Sequence, residues 1–100
     1  MIISEIRRLA EEFPDRTSQP EYAKEKNGVG QPECIIGHAL YNLGVSPEEL
    51  KYLTGSVEEI PLPMYIDGPE LRWLNEVQRT QDSGLSWESA VKEADKWYRP

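Results

Sequence analysis

Apolar residues recur at three- and four-residue steps from the start of the chain: Ile3, Ile6, Leu9, Ala10 and Phe13 share one side of a helix. Arg7, Arg8, Glu11 and Glu12 fill the other side, and Pro14 ends the helix because it pushes its predecessor out of the helical region. Residues 14–32 lose this period. Asn27-Gly28 favours a tight hairpin turn, and its flanks at residues 21–31 suit a small β-ribbon or a loop equally. Pro32 and Glu33 suit a helical first turn. Cys34, Ile35, Ile36, Ala39, Leu40 and Leu43 then make a helix apolar round most of its circumference, with Gly37 at an expected close helix–helix approach and Gly44 as a left-handed cap.

Ser46-Pro47-Glu48-Glu49 is a helix start with the spacing of a capping box, with Leu50 and Leu53 pointing inward and Gly55 as the stop. Ser56 to Ile60 has room for one more turn, after which Pro61 and Pro63 force an extended strap through Leu62, Met64, Tyr65 and Ile66. Asp67-Gly68-Pro69-Glu70 opens a helix whose face is Leu71, Leu74, Val77, Gln78 and Gln81, with Trp73 at its edge. Gly84 stops it, with Leu85 as its hydrophobic contact, and Ser86 caps a last helix striped by Trp87, Ala90, Val91, Ala94, Trp97 and Tyr98. So short a link makes these two helices an antiparallel hairpin. The expected fold is mainly α: about five short helices round one core, in a single domain spanning residues 1–100.

With 100 residues, 38% of them hydrophobic and 29% charged, the chain has the composition of one globular domain. A single Cys precludes an internal disulfide and suits a reducing compartment. No apolar run is long enough to span a membrane, and the start has no basic region before an apolar one, so a cytoplasmic protein is expected. The net charge of −7 argues against direct nucleic-acid binding and fits a basic protein partner or plain solubility.

Two stretches, CIIGHALYNLGV and WLNEVQRTQDSGLSWESAVKEAD, carry Gly37, Ala39, Leu40, Trp73, Leu74, Gln78, Gln81, Asp82, Gly84, Trp87, Ala90, Val91, Ala94 and Asp95. In this they resemble a group of short uncharacterised proteins from mycobacteriophages and their actinobacterial hosts. The resemblance covers somewhat under half the chain. It implies a phage or prophage setting and no particular reaction.

Chemistry-bearing residues are sparse. Cys34 and His38 stand four apart, the spacing of one helix face, which fits a thiolate–imidazole pair or a buried thiol beside a hydrogen-bonded histidine. They are the only residues of their kinds, half of a structural zinc site, so no metal and no cofactor is expected. Residues 40–60 have some of the cadence of a helix-turn-helix, opposed by Lys51 at a small-residue position, by Glu58 and Glu59 in the reading helix, and by Pro61 and Pro63. Glu11-Glu12, Glu48-Glu49 and Glu58-Glu59, with Asp67, Glu70 and Asp82, fit a phosphate mimic or a solvated surface. Trp73, Trp97 and Tyr98 at stripe edges are the candidate partner-binding residues, with Trp87 in the core. The functional expectation is a small acidic phage accessory protein that binds a host protein and modulates it without catalysis. The alternative is a nucleic-acid-related role, as a DNA mimic or a small transcriptional regulator. A homodimer is compatible with the same stripes.

Overall fold

The computed structural model describes residues 2–26, 29–62 and 64–98; the expected Asn27-Gly28 turn and Pro63 lie outside them. Among the described residues the order is α1 (Ile2–Glu12), β1 (Ala23–Lys26), β2 (Val29–Pro32), α2 (Ile35–Asn42), α3 (Pro47–Leu50), α4 (Gly68–Asp82) and α5 (Trp87–Trp97). The fold is mainly α with one small ribbon. In the ribbon β1 and β2 pair antiparallel, with Ala23 opposite Pro32 and Glu25 opposite Gly30.

Helix α2 is the hub. Ile35, Ile36, Ala39 and Leu40 are all buried, and the helix packs against α1, α4, α3 and β2. Its end is a complete Schellman motif: Val45 N donates to Leu40 O and Gly44 N to Tyr41 O, with Gly44 at φ 107°. The start differs from the sequence expectation. Pro32 belongs to β2, and the ladder runs on as Glu33 N donates to Tyr22 O and Cys34 N to Glu21 O. Those bonds hold the chain extended up to Cys34, so the helix opens three residues later than Pro32, with Cys34 as its cap.

Gly37 also differs. A Cβ there would stand 2.0 Å from the Tyr22 carbonyl oxygen, so the close approach is to the segment entering β1 and not to another helix.

Helices α4 and α5 form the expected hairpin, with Gly84 at φ 97° in the link. Their antiparallel sense places Trp73, early in α4, against Asp95, late in α5. All four leading amides of α5 are satisfied: Trp87 N by Arg16 O, Glu88 N by Pro14 O, Ser89 N by Ser86 Oγ and Ala90 N by Ser86 O. The loop after α1 therefore caps a helix some seventy positions away. Leu62, Met64 and Ile66 of the strap pack on the core, whereas Tyr65 between them is 90% exposed. On α1 the inward face is Ile2, Ile6, Leu9 and Ala10, with Phe13 just beyond the helix end and 39% exposed.

Candidate functional site

Cys34 and His38 do not face each other as a reactive pair. The Cys34 sulfur caps α2, accepting from Gly37 N at 3.3 Å, and burial pushes its thiol up to about 12. That is the condition of an inert core thiol. His38 points the other way, its Nε2 3.2 Å from an Arg16 guanidinium nitrogen and its ring 5.1 Å from that of Trp87. Burial, then the Arg16 charge, lowers the imidazole to about 4, so it is neutral and can accept from Arg16. Arg16 in turn lies 4.7 Å over the Trp87 ring, and Phe13 meets that ring edge-on. Trp87 is thus a core residue, as its spacing predicts, and its indole N–H is taken by Ser18 Oγ. Among the described residues no group of three or more His, Cys, Asp and Glu is placed to hold a metal ion.

Trp73 requires a correction. The stripe of α4 puts it at an edge, yet it is 0% exposed. Its indole N–H donates to Asp95 Oδ1 at 2.9 Å, Asp95 takes two bonds from Arg7 at 2.6 and 2.7 Å, and the Arg7 guanidinium covers the ring at 5.0 Å. Three helices close over this ring, so it presents no face to a partner. The buried face of α4 is accordingly rotated towards Trp73, Leu74, Val77, Thr80 and Gln81, leaving Leu71 only partly covered.

The two glutamines of α4 act as internal connectors that sequence reasoning missed. Gln81, wholly buried, accepts from Ile35 N at 2.8 Å and donates to Asp82 Oδ1. Gln78 accepts from Val57 N at 2.8 Å and donates to the Tyr22 hydroxyl, which donates to Gly55 O. Burial pushes that phenol up to about 12. The signal was two amides on an otherwise apolar face, because buried polar groups need partners. Within the two stretches 34–45 and 73–95, Gly37, Trp73, Gln78, Gln81, Trp87 and Asp95 all serve packing or capping.

What remains at the surface is different chemistry. Trp97 is 62% exposed, its indole N–H held by Glu93 and its ring under Lys96, while Tyr98 is half-buried against the core. On the α2–α3 side a hollow of about 500 Å³ is lined by Leu40, Val45, Glu49, Tyr52, Leu53, Pro61 and Leu62. Tyr52 on its wall is 79% exposed. A volume of this size is within the range of ligand and side-chain pockets. No sequence pattern pointed to it, because its far wall is the strap arriving from residues 61–62. A second, polar hollow of about 550 Å³ has Arg16, Lys24, Glu25, Glu33 and His38 on its walls, with charges of both signs.

The acidic residues largely serve their own helices. Glu12 and Glu5 pair with Arg8, Glu48 with Lys51 and Glu76 with Arg79. Glu49 answers Ser46, Glu59 answers Ser56, and Asp67 caps α4 by accepting from Glu70 N. No helix among the described residues is long and apolar enough to cross a membrane. Compared with protein-family models, with curated proteins and with solved structures, the chain finds no match.

Proposed function

We propose that this chain is a small acidic phage or prophage accessory protein that binds a protein of its host's cytoplasm and modulates it without catalysing a reaction. The observation that carries the reading is the apolar hollow with Tyr52 standing 79% exposed on its wall. An exposed aromatic beside an apolar recess is the composition of a binding hot spot, and a monomer gains nothing from leaving it uncovered. The state of Cys34 and His38 supports the non-catalytic part, since one is a buried cap and the other is committed to Arg16. The exposed ring of Trp97 is a second contact point in this reading; Trp73 drops out of it. Phosphate mimicry draws on the same net charge, but Glu12, Glu49, Glu59 and Asp67 are engaged locally and no observation favours that alternative.

The test is a photoreactive phenylalanine analogue placed at position 52, and separately at 97, in protein added to actinobacterial lysate. The expected result is one defined adduct from position 52 that excess unlabelled wild type suppresses. Absence of any competed adduct from either position refutes the reading.

A further inference from the structure

We propose that the hollow between α3 and the strap takes a cationic peptide segment, one carrying a bulky apolar side chain flanked by lysines or arginines. This rests on the host-binding reading and narrows it to a partner chemistry. Leu40, Val45, Leu53, Pro61 and Leu62 give the recess an apolar floor, and Tyr52 stands beside it. The stretch that supplies Glu49, Tyr52 and Leu53 of its wall, residues 46–60, is net acidic, with four glutamates against one lysine. Glu49 lines the hollow itself, Glu48 precedes it on α3, and Glu58 and Glu59 lie on the turn leading into Pro61, all four exposed. Lys51, the basic residue of this stretch, lays its stem against Gly30 of the ribbon, where an added Cβ would meet it at 3.0 Å, and its ammonium pairs with Glu48 at 3.8 Å, leaving the other three acids in excess.

Charge also decides between occupants. A second copy would bring its own net charge of −7 and the same acidic rim against this one. Nucleic acid and anionic lipid are repelled in the same way, whereas a basic segment gains from both the rim and the apolar recess. Complementary charge at a rim acts mainly on association rate and its salt dependence, and the apolar anchor acts on dissociation.

The experiment is selection of a displayed random dodecapeptide library on the purified full chain, followed by anisotropy titration of the enriched peptides. Enriched sequences should share one large apolar residue among Lys or Arg. Tyr52→Ala should weaken them by about tenfold or more, as loss of a hot-spot aromatic does. Glu48→Gln with Glu49→Gln should weaken them by about tenfold at low salt and much less at high salt. Both variants alter exposed side chains, and glutamine still serves a capping box, so the fold is kept. Three results overturn the inference: enrichment of acidic or neutral peptides, binding indifferent to both variants, or a concentration-dependent dimer that Tyr52→Ala dissolves. The two readings fail separately. A competed host adduct at position 52 whose cross-linked segment is not basic leaves host binding standing and removes the peptide chemistry. Tyr52-dependent binding of basic peptides with no host adduct does the reverse.

Discussion

Gln81 offers the sharpest test of how this fold is held. Ile35 is the first residue of α2, so its N–H has no partner within the helix, and both it and Gln81 are wholly buried. The 2.8 Å bond from Ile35 N to Gln81 Oε1 is the partner supplied, across 46 positions of sequence. Gln81→Met keeps roughly the volume and removes the acceptor, leaving a buried donor unmade at about 1–3 kcal/mol. Gln81→Ala adds a cavity and should cost about 3–5 kcal/mol in all. At this chain length a loss of about 2 kcal/mol lowers the melting temperature by roughly 8–16 °C. Urea denaturation gives the free energies, and amide hydrogen exchange reads the bond itself. The Ile35 amide should be protected in the wild type and exchange far faster in Gln81→Met, while the amides of Leu43 and Val45 at the other end keep their relative protection. If Gln81→Met unfolds within about 0.5 kcal/mol of wild type and Ile35 stays protected, the capping argument is wrong.

Three further outcomes follow from the same geometry. Gly37→Ala drives a Cβ to 2.0 Å from the Tyr22 carbonyl oxygen, backbone against backbone, and should cost at least about 2–3 kcal/mol in chemical denaturation. His38 has its folded value lowered from 6.5 to about 4, so the unfolded chain takes up a proton before the folded one does. Stability present above pH 6.5 is therefore lost as pH falls towards 4; partial exposure limits the loss to about 1–2 kcal/mol, and His38→Gln should flatten the slope between pH 6.5 and 5. The Cys34 thiol, buried and at about 12, should react with an alkylating reagent at pH 8 at least about a hundredfold more slowly in the folded protein than in urea, and equal rates would refute its placement.

The features legible in sequence are those whose cause lies within a few residues. Ser46, Asp67 and Ser86 each accept from the amide three positions on, and their spacing announces this without any tertiary information. Gly44 and Gly84 follow the last periodic residue of a helix and take the backbone angles that spacing implies. Misreadings occur where a distant group intervenes. Pro32 is good helix-start chemistry in isolation, but its pairing with Ala23 makes it strand. Trp73 is an edge residue by period, and becomes interior because Arg7 and Asp95 arrive from the two ends of the chain to cover it. Cys34 as a helix cap had no local cue, since a thiol is not among the residues that usually fill that role. The hollow beside Tyr52 was illegible for the same reason: its walls come from α2, α3 and the strap, and nothing local fixes where the strap runs.

The Arg7–Asp95 bridge joins positions 88 apart, which bears on how the chain matures during synthesis. The α4–α5 hairpin can zip locally and α1 can meet α2 early, yet the part of the α1 surface that packs on α5 is covered only after the last helix is made. Until then Arg7 lacks Asp95 and the neighbouring Ala10 lacks Val91, and a chain stalled before residue 87 holds a partly open core. Assembly should thus be late and cooperative, completed by the closing of one very long loop.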